Sequence, residues 1–287
     1  VLALVVTWVV WGSTYLGIRL AVREGAGWGP FWLGAARVFV AAAVLLAVCR
    51  LRRVPIRPTG RELAVIAGSG VLMWVLGNGA VNWAEQRIDS GLAALVVGAM
   101  PMWVVVMESA LDRRRPSFRL VAAVGVGFAG LAVLTLPLWR HGATGDLAGV
   151  AAVAGGAIAW GAGSVWMSRR PSRVDSFAIA GLQQLAGGFG FLAAAALTAE
   201  PLPTPTPEAW AAFAYLTVFG SVIAYTCFVY ALKMLPTTLV MTYTYVNPVI
   251  AVVLGWLLIG ESITGYTGVG TLLIIAGVAG VFHEKHG

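Results

Sequence analysis

Residues 74 to 85 carry the clearest chemical pattern in the chain. Trp74, Asn78, Asn82 and Glu85 recur at i, i+4, i+8 and i+11, a spacing that predicts one face of a helix. Amides offer donors and acceptors, and an indole offers a flat apolar surface. Such a set holds a solute rather than making or breaking bonds. Related sets recur. Trp8, Trp11 and Tyr15 form a stripe with Ser13 and Thr14 alongside, Trp160 and Ser164 stand four apart, and Ser221, Tyr225 and Phe228 share a face. Tyr243, Tyr245 and Asn247 directly precede Pro248. Two other roles compete with binding for these residues: hydrogen bonds between helices, and the interfacial aromatic belt that suits Trp8, Trp28 and Trp32.

The ionisable residues narrow the chemistry. Arg37 lies about seven residues into an apolar run that opens near residue 30, roughly 10 Å along a helix. A charge at that depth costs ~3 kcal/mol or more, so it needs a partner or a water path. It is read either as a structural cation bonded to carbonyls or as a contact for a substrate carboxylate. Among the acids only Glu108 falls clearly inside an apolar run, while Glu62, Glu85 and Glu261 fall near run ends. A buried proton relay or a midplane sodium site is therefore not supported, and Glu85 and Arg37 remain as the charged groups able to contact or couple to a substrate. His141, His283 and His286 lie outside the apolar runs. No Ser–His or Glu–His arrangement and no two-His metal motif can form at membrane depth. An intramembrane enzyme, a metal site and a cofactor are thereby disfavoured.

The elements that position these residues follow from composition. Of 287 residues, 59% are hydrophobic and 11% charged, against roughly 25% charged in soluble domains; the mean hydropathy is +0.86. A soluble enzyme, a disulfide scaffold and a disordered tail are excluded. Cys49 and Cys227 sit inside apolar runs and build no framework. Breaks in hydrophobicity predict ten spans, at about 1–22, 30–50, 62–83, 90–111, 118–137, 147–167, 176–198, 209–232, 237–259 and 265–282. The connection from Glu200 to Glu208, with Pro201, Pro203, Pro205 and Pro207, reads as a stiff extended loop. The chain begins at Val1, which reads as a trimmed N-terminus, and shows no cleavable signal peptide.

The net charge of +7 sorts by loop rather than forming a nucleic-acid footprint. Fourteen Lys and Arg fall in one set of alternate connections, including Arg113, Arg114 and Arg115, and three in the other. By the positive-inside rule both termini are expected in the cytoplasm. The two halves, 1–137 and 147–283, also match. Trp11-Gly12 answers Trp160-Gly161, Pro101 and Pro248 lie 147 apart in mid-span, Gly130 and Gly277 lie 147 apart, and Gly77 answers Gly220. Arg37 is answered by neutral Gln183. Two similar units of five spans must cross in opposite senses, as in alternating-access carriers. The fold class is thus an all-α membrane protein of ten transmembrane helices in two inverted repeats. Pro101 and Pro248 would free the carbonyls of Val97 and Thr244 and serve as paired kinks or gates.

Trp11-Gly12-Ser13-Thr14-Tyr15, the Ala-Ala-Arg-Val-Phe segment at Arg37, Gly77-Asn78-Gly79 through Trp83-Ala84-Glu85-Gln86, and Tyr245-Val246-Asn247-Pro248 with Gly260-Glu261 resemble the EamA-type branch of the drug/metabolite transporter superfamily along the whole chain. Two features depart from that pattern: Val38 separates Arg37 from Phe39, and Arg114 stands where the first half would repeat Gly260-Glu261. The resemblance implies an inner-membrane carrier, usually an exporter of amino acids or related metabolites, with a cavity between the halves. From the residues themselves, Asn78, Asn82 and Asn247 cannot face lipid. The expected substrate site is Trp11, Ser13, Asn78, Asn82, Trp160, Ser164, Tyr225, Tyr245 and Asn247, with Pro101 and Pro248 at its level. Its rings and amides suit a small amphipathic solute. The partners expected are that solute and the lipid bilayer, with no nucleic acid; a monomer is compatible with the sequence. A non-transporting scaffold is the alternative, and it leaves the polar stripe and the matching prolines unexplained.

Overall fold

The computed structural model describes residues 2–88, 90–140, 146–259 and 264–286, without the side chains of residues 15, 90–91, 137–140, 251–252, 254–259 and 285–286. Gly260-Glu261 lies outside the described residues, as do Asp89 and His141. The regular elements among the described residues are all helices. The helices are α1 (Leu2–Val22), α2 (Pro30–Leu51), α3 (Gly60–Ala84), α4 (Ser90–Val97 and Met100–Asp112), α5 (Phe118–Arg140), α6 (Leu147–Ser168), α7 (Ser176–Leu197), α8 (Pro207–Met234), α9 (Thr237–Val240 and Tyr243–Ile259) and α10 (Gly265–His286). Their ends fall within a few residues of the ten predicted spans. Among the described residues nine of them are long and apolar enough to cross a membrane. The continuous part of α9 has 17 residues, ~26 Å at 1.5 Å each.

Local chemistry starts these helices where the hydropathy breaks. Thr59 and Glu62 form a reciprocal capping box at α3. Asp146, Asp175 and Thr206 accept backbone N–H bonds at the starts of α6, α7 and α8. Each cap satisfies a donor that would otherwise be orphaned at the membrane edge.

The packing maps onto itself when each helix is exchanged for its counterpart five places on. α1 packs on α8 and α9, and α6 packs on α3 and α4. α2 meets α8 as α7 meets α3, while α2–α7 and α5–α10 pair with their own counterparts. Glycine sets these contacts, because apolar association without water relies on close van der Waals approach. A Cβ on Gly12 would lie 2.7 Å from Ile250, and one on its counterpart Gly161 would lie 3.2 Å from Val104. Between α5 and α10 the backbones nearly touch: a Cβ on Gly277 would lie 2.5 Å from the Gly127 nitrogen, and one on Gly130 2.7 Å from the Ile274 nitrogen.

Two features were not legible in the hydropathy. Val71–Asn78 in α3 and Leu216–Ala224 in α8 are wide i→i+5 helix, and they hold the matched Gly77 and Gly220. In addition, the α7–α8 connection is tied to the α1–α2 connection. Thr204 N–H bonds the Gly27 carbonyl at 2.9 Å and Thr206 N–H bonds the Ala26 carbonyl at 3.0 Å. The Glu200 carboxylate accepts from the Phe31 and Trp32 N–H groups at 3.1 and 2.7 Å, capping α2. Trp28, expected in the interfacial belt, is buried here against Trp210 and Phe213.

Gly277→Val should lower the melting temperature of the purified protein, with a destabilisation of about 1–3 kcal/mol from overpacking. Gly125→Val, which meets nothing within 4 Å, should leave it unchanged. Equal melting of the two would contradict the backbone seam.

Candidate functional site

A cavity of about 70 Å³ lies between the halves. Trp11, Thr14 and Ile18 of α1, Arg37 of α2 and Trp74, Gly77, Asn78 and Val81 of α3 line one side. Val97 and Met100 of α4, Gly156, Ala157 and Trp160 of α6, and Tyr243 and Asn247 of α9 complete it.

Aromatic rings form its floor. Trp11 contacts Tyr243 at 4.8 Å, Phe228 at 5.0 Å, Trp160 at 5.6 Å and Tyr225 at 6.5 Å between centroids. Trp74 meets Tyr225 at 4.8 Å and Trp160 at 6.1 Å. The matched Trp11 and Trp160 therefore meet at the junction of the repeats. The Trp11 Nε1–H donates to the Gly220 carbonyl at 3.1 Å, which the Tyr225 N–H also bonds. That ties α1 to the wide segment of α8.

Behind the rings runs a hydrogen-bonded network. The Tyr225 hydroxyl donates to Gln183 Oε1 at 3.0 Å, and Gln183 Nε2 donates to Ser69 at 2.8 Å. Arg37 Nε donates to Ser221 Oγ at 2.6 Å. Arg37 is 3% exposed, and its guanidinium carbon lies 5.3 Å from the Trp74 ring centroid. Gly220 makes room for it, since a Cβ there would lie 3.0 Å from Arg37 Nη2. Four polar atoms on residues that line the cavity are buried without a partner: Arg37 Nη1, Trp74 Nε1, Asn78 Oδ1 and Trp160 Nε1.

Of the residues expected at the site, the structure brings Trp11, Asn78, Trp160, Asn247 and Arg37 to the cavity wall, and Tyr225 to the ring cluster beneath it. Five expectations need correction. Asn82 is fully buried and its Nδ2 donates to the Pro30 carbonyl at 3.1 Å, linking α3 to α2. Ser13 shares a 2.5 Å hydrogen bond with the Tyr215 hydroxyl. Ser164 donates to the Trp160 carbonyl at 2.7 Å within its own helix. Tyr245 points away into the α5–α10 seam, where its hydroxyl donates to the Val124 carbonyl at 3.0 Å. Glu85 is buried 4.0 Å from Arg19, apart from the cavity.

The prolines are not equivalent kinks. Pro101 sits in the first turn of the second α4 segment, after a break at Gly98-Ala99, where its missing N–H is not needed. Pro248 lies inside α9. There the Asn247 amide, oriented with nitrogen toward the carbonyls of Tyr243 and Trp8 at 2.9 and 3.2 Å, braces α9 against α1. Sequence reasoning missed Ile18, Val81, Val97, Gly156 and Ala157 as wall residues, because small and apolar types carry no binding signal of their own.

The EamA-like transporter family matches residues 1–136 and again residues 147–283. The "Uncharacterized inner membrane transporter YedA" of Escherichia coli strain K12 is 33% identical over 264 residues, covering 91% of this chain and 83% of that protein. The "Probable terminal-alkyne amino-acid exporter" of Streptantibioticus cattleyicolor is 26% identical over 276 residues, covering 96% and 91%. A solved crystal structure shares the fold at a TM-score of 0.81 and 23% identity, covering 99% of this chain and 96% of its own.

The two span-3 amides should separate on mutation. Asn82→Ala should cost ~0.5–1.5 kcal/mol of stability and leave flux in liposomes near wild type. Asn78→Ala should keep the melting temperature and weaken flux up to about tenfold, the worth of one hydrogen bond. Matching effects on both readouts would erase the distinction.

Proposed function

The chain belongs to the EamA-like transporter family, a family of membrane transporters rather than enzymes, and on that premise we propose that it exports amino acids or related small amphipathic metabolites by alternating access through the central cavity. The observation that carries this reading is the cavity between the repeats, walled by matched tryptophans and buried polar atoms without partners. A carrier must expose one site to each side in turn, and an inverted pair of packing units supplies two conformations of similar energy by exchanging roles. The similarity to the Streptantibioticus protein, named a probable terminal-alkyne amino-acid exporter, supports an amino-acid cargo. The excess of Lys and Arg in alternate connections supports an inner-membrane protein with both termini in the cytoplasm. One chain holds both repeats, which supports a working monomer.

Coupling is read from the acids. Among the described residues no cavity wall residue is acidic. Glu108 lies near the end of α4, where its Oε2 accepts the Thr238 hydroxyl at 2.7 Å beside the break in α9. Its role is read as structural, since an uncharged amide accepts the same bond.

Purified protein in sealed liposomes should exchange radiolabelled neutral amino acids without sodium. Glu108→Gln should keep at least about half the rate, because the Thr238 bond survives. Strict sodium dependence would sink the uncoupled reading, and no counterflow with any amino acid would sink the cargo. With Cys49 and Cys227 replaced by Ser, a cysteine at Arg114 should label only from the cytoplasmic side.

A further inference from the structure

Arg37 is out of balance with its surroundings. It is 3% exposed, so its charge does not reach solvent. Its Nε is held by Ser221 and its plane lies near Trp74, but Nη1 is buried without any partner. Among the described residues no carboxylate pairs with it, and no cavity wall residue is acidic. A guanidinium cannot shed its proton, and a buried charge without a counterion is costly. A structural arginine would have its donors taken up by protein carbonyls; this one keeps a donor for something that enters.

Resting on the reading of the cavity as the transport site, we propose that Arg37 anchors the cargo by a carboxylate, so that the site takes monocarboxylic solutes, neutral amino acids among them, and rejects amines that lack the acid group. Guanidinium and carboxylate match as a two-pronged hydrogen-bonded pair, and such charge-assisted bonds are the stronger kind. A single cation balances one negative charge, which suits a carboxylate better than a phosphate ester. Asn78 Oδ1, also buried without a partner, is the acceptor for an ammonium. Trp11 and Tyr243 also line the cavity and add aromatic surface of the kind that attracts a cation. An amino group is thus tolerated and held, but no acidic residue replaces the carboxylate as the anchor.

The test compares eight probes on the purified full chain by thermal stabilisation: L-leucine, L-phenylalanine, their amides, 4-methylpentanoate, 3-phenylpropionate, isopentylamine and phenethylamine. The four carboxylates should stabilise the protein, and the amides and amines should not. Arg37→Gln, which copies the counterpart residue Gln183, should weaken carboxylate binding about tenfold or more, the scale of a lost charged hydrogen bond. Arg37→Lys should retain part of it, because the charge stays and the fork is lost. The wild-type comparison stands without either variant if they fail to fold. Amines or amides that bind as tightly as acids, acids that bind Arg37→Gln unchanged, or four acids that bind nowhere would each overturn the proposal. Acid-selective binding without counterflow would leave it standing and overturn the carrier reading; flux indifferent to the carboxylate would do the reverse.

Discussion

Inside a bilayer a polar group that lacks a partner has no water to turn to. That constraint organises this chain at every level. It puts the backbone into helices, places capping side chains at their starts, and puts threonine hydroxyls where α9 breaks. Thr242 bonds the Leu239 carbonyl at 2.7 Å and Thr244 the Met241 carbonyl at 3.0 Å. It also gives meaning to the exceptions. Arg37, Trp74, Asn78 and Trp160 each leave a buried polar atom unsatisfied around one small cavity, the densest such group among the described residues.

The ring cluster lies beneath that cavity. Trp11, Trp74, Trp160, Tyr225, Phe228 and Tyr243 come from five helices and both repeats, and they meet mostly edge to face or tilted, with Tyr225 and Phe228 stacked. Their contacts favour a closed floor, with ~0.5–1.5 kcal/mol per aromatic pair beyond area burial. The wide helical segments lie beside this cluster. Extra residues per turn leave carbonyls angled off the ladder, and the Gly220 carbonyl duly takes a second bond from Trp11. Such segments concentrate at functional sites in helical proteins.

The helices were legible in the sequence because lipid enforces length and polarity residue by residue. Much of the wall was legible too, through amides and indoles that lipid forbids or discourages. What escaped depended on neighbours distant in the chain. The widened part of α3 holds Gly77, which packs closely on Trp160 and Gly156, and no local rule announces the widening; a strict 3.6-residue stripe then grouped Asn82 and Glu85 with Asn78. Tyr245 is a different case. Residues two apart on a helix point to nearly opposite sides, whereas residues four apart share one. Tyr243 and Asn247 therefore belong to the cavity face and Tyr245 to the other, a distinction the spacing already contained. Pro101 was misread because the Gly98-Ala99 break before it turns a helix interior into a helix start.

The tie between the first and fourth connections of their kind, at Gly27 and Thr204, bears on how this chain can be handled. The proline-rich stretch from Glu200 to Glu208 is the obvious opening for an epitope, a fluorescent domain or a protease site, being long and polar. Yet its backbone is bonded to Ala26 and Gly27, its Glu200 caps α2, and its Glu208 pairs with Arg23 at 2.5 Å. Tolerance to insertion follows the bonding of the backbone that is cut, not its length or composition. The α2–α3 connection near Arg57 is mostly exposed and makes no such backbone bonds to other elements among the described residues. By that criterion it is the better opening for foreign sequence.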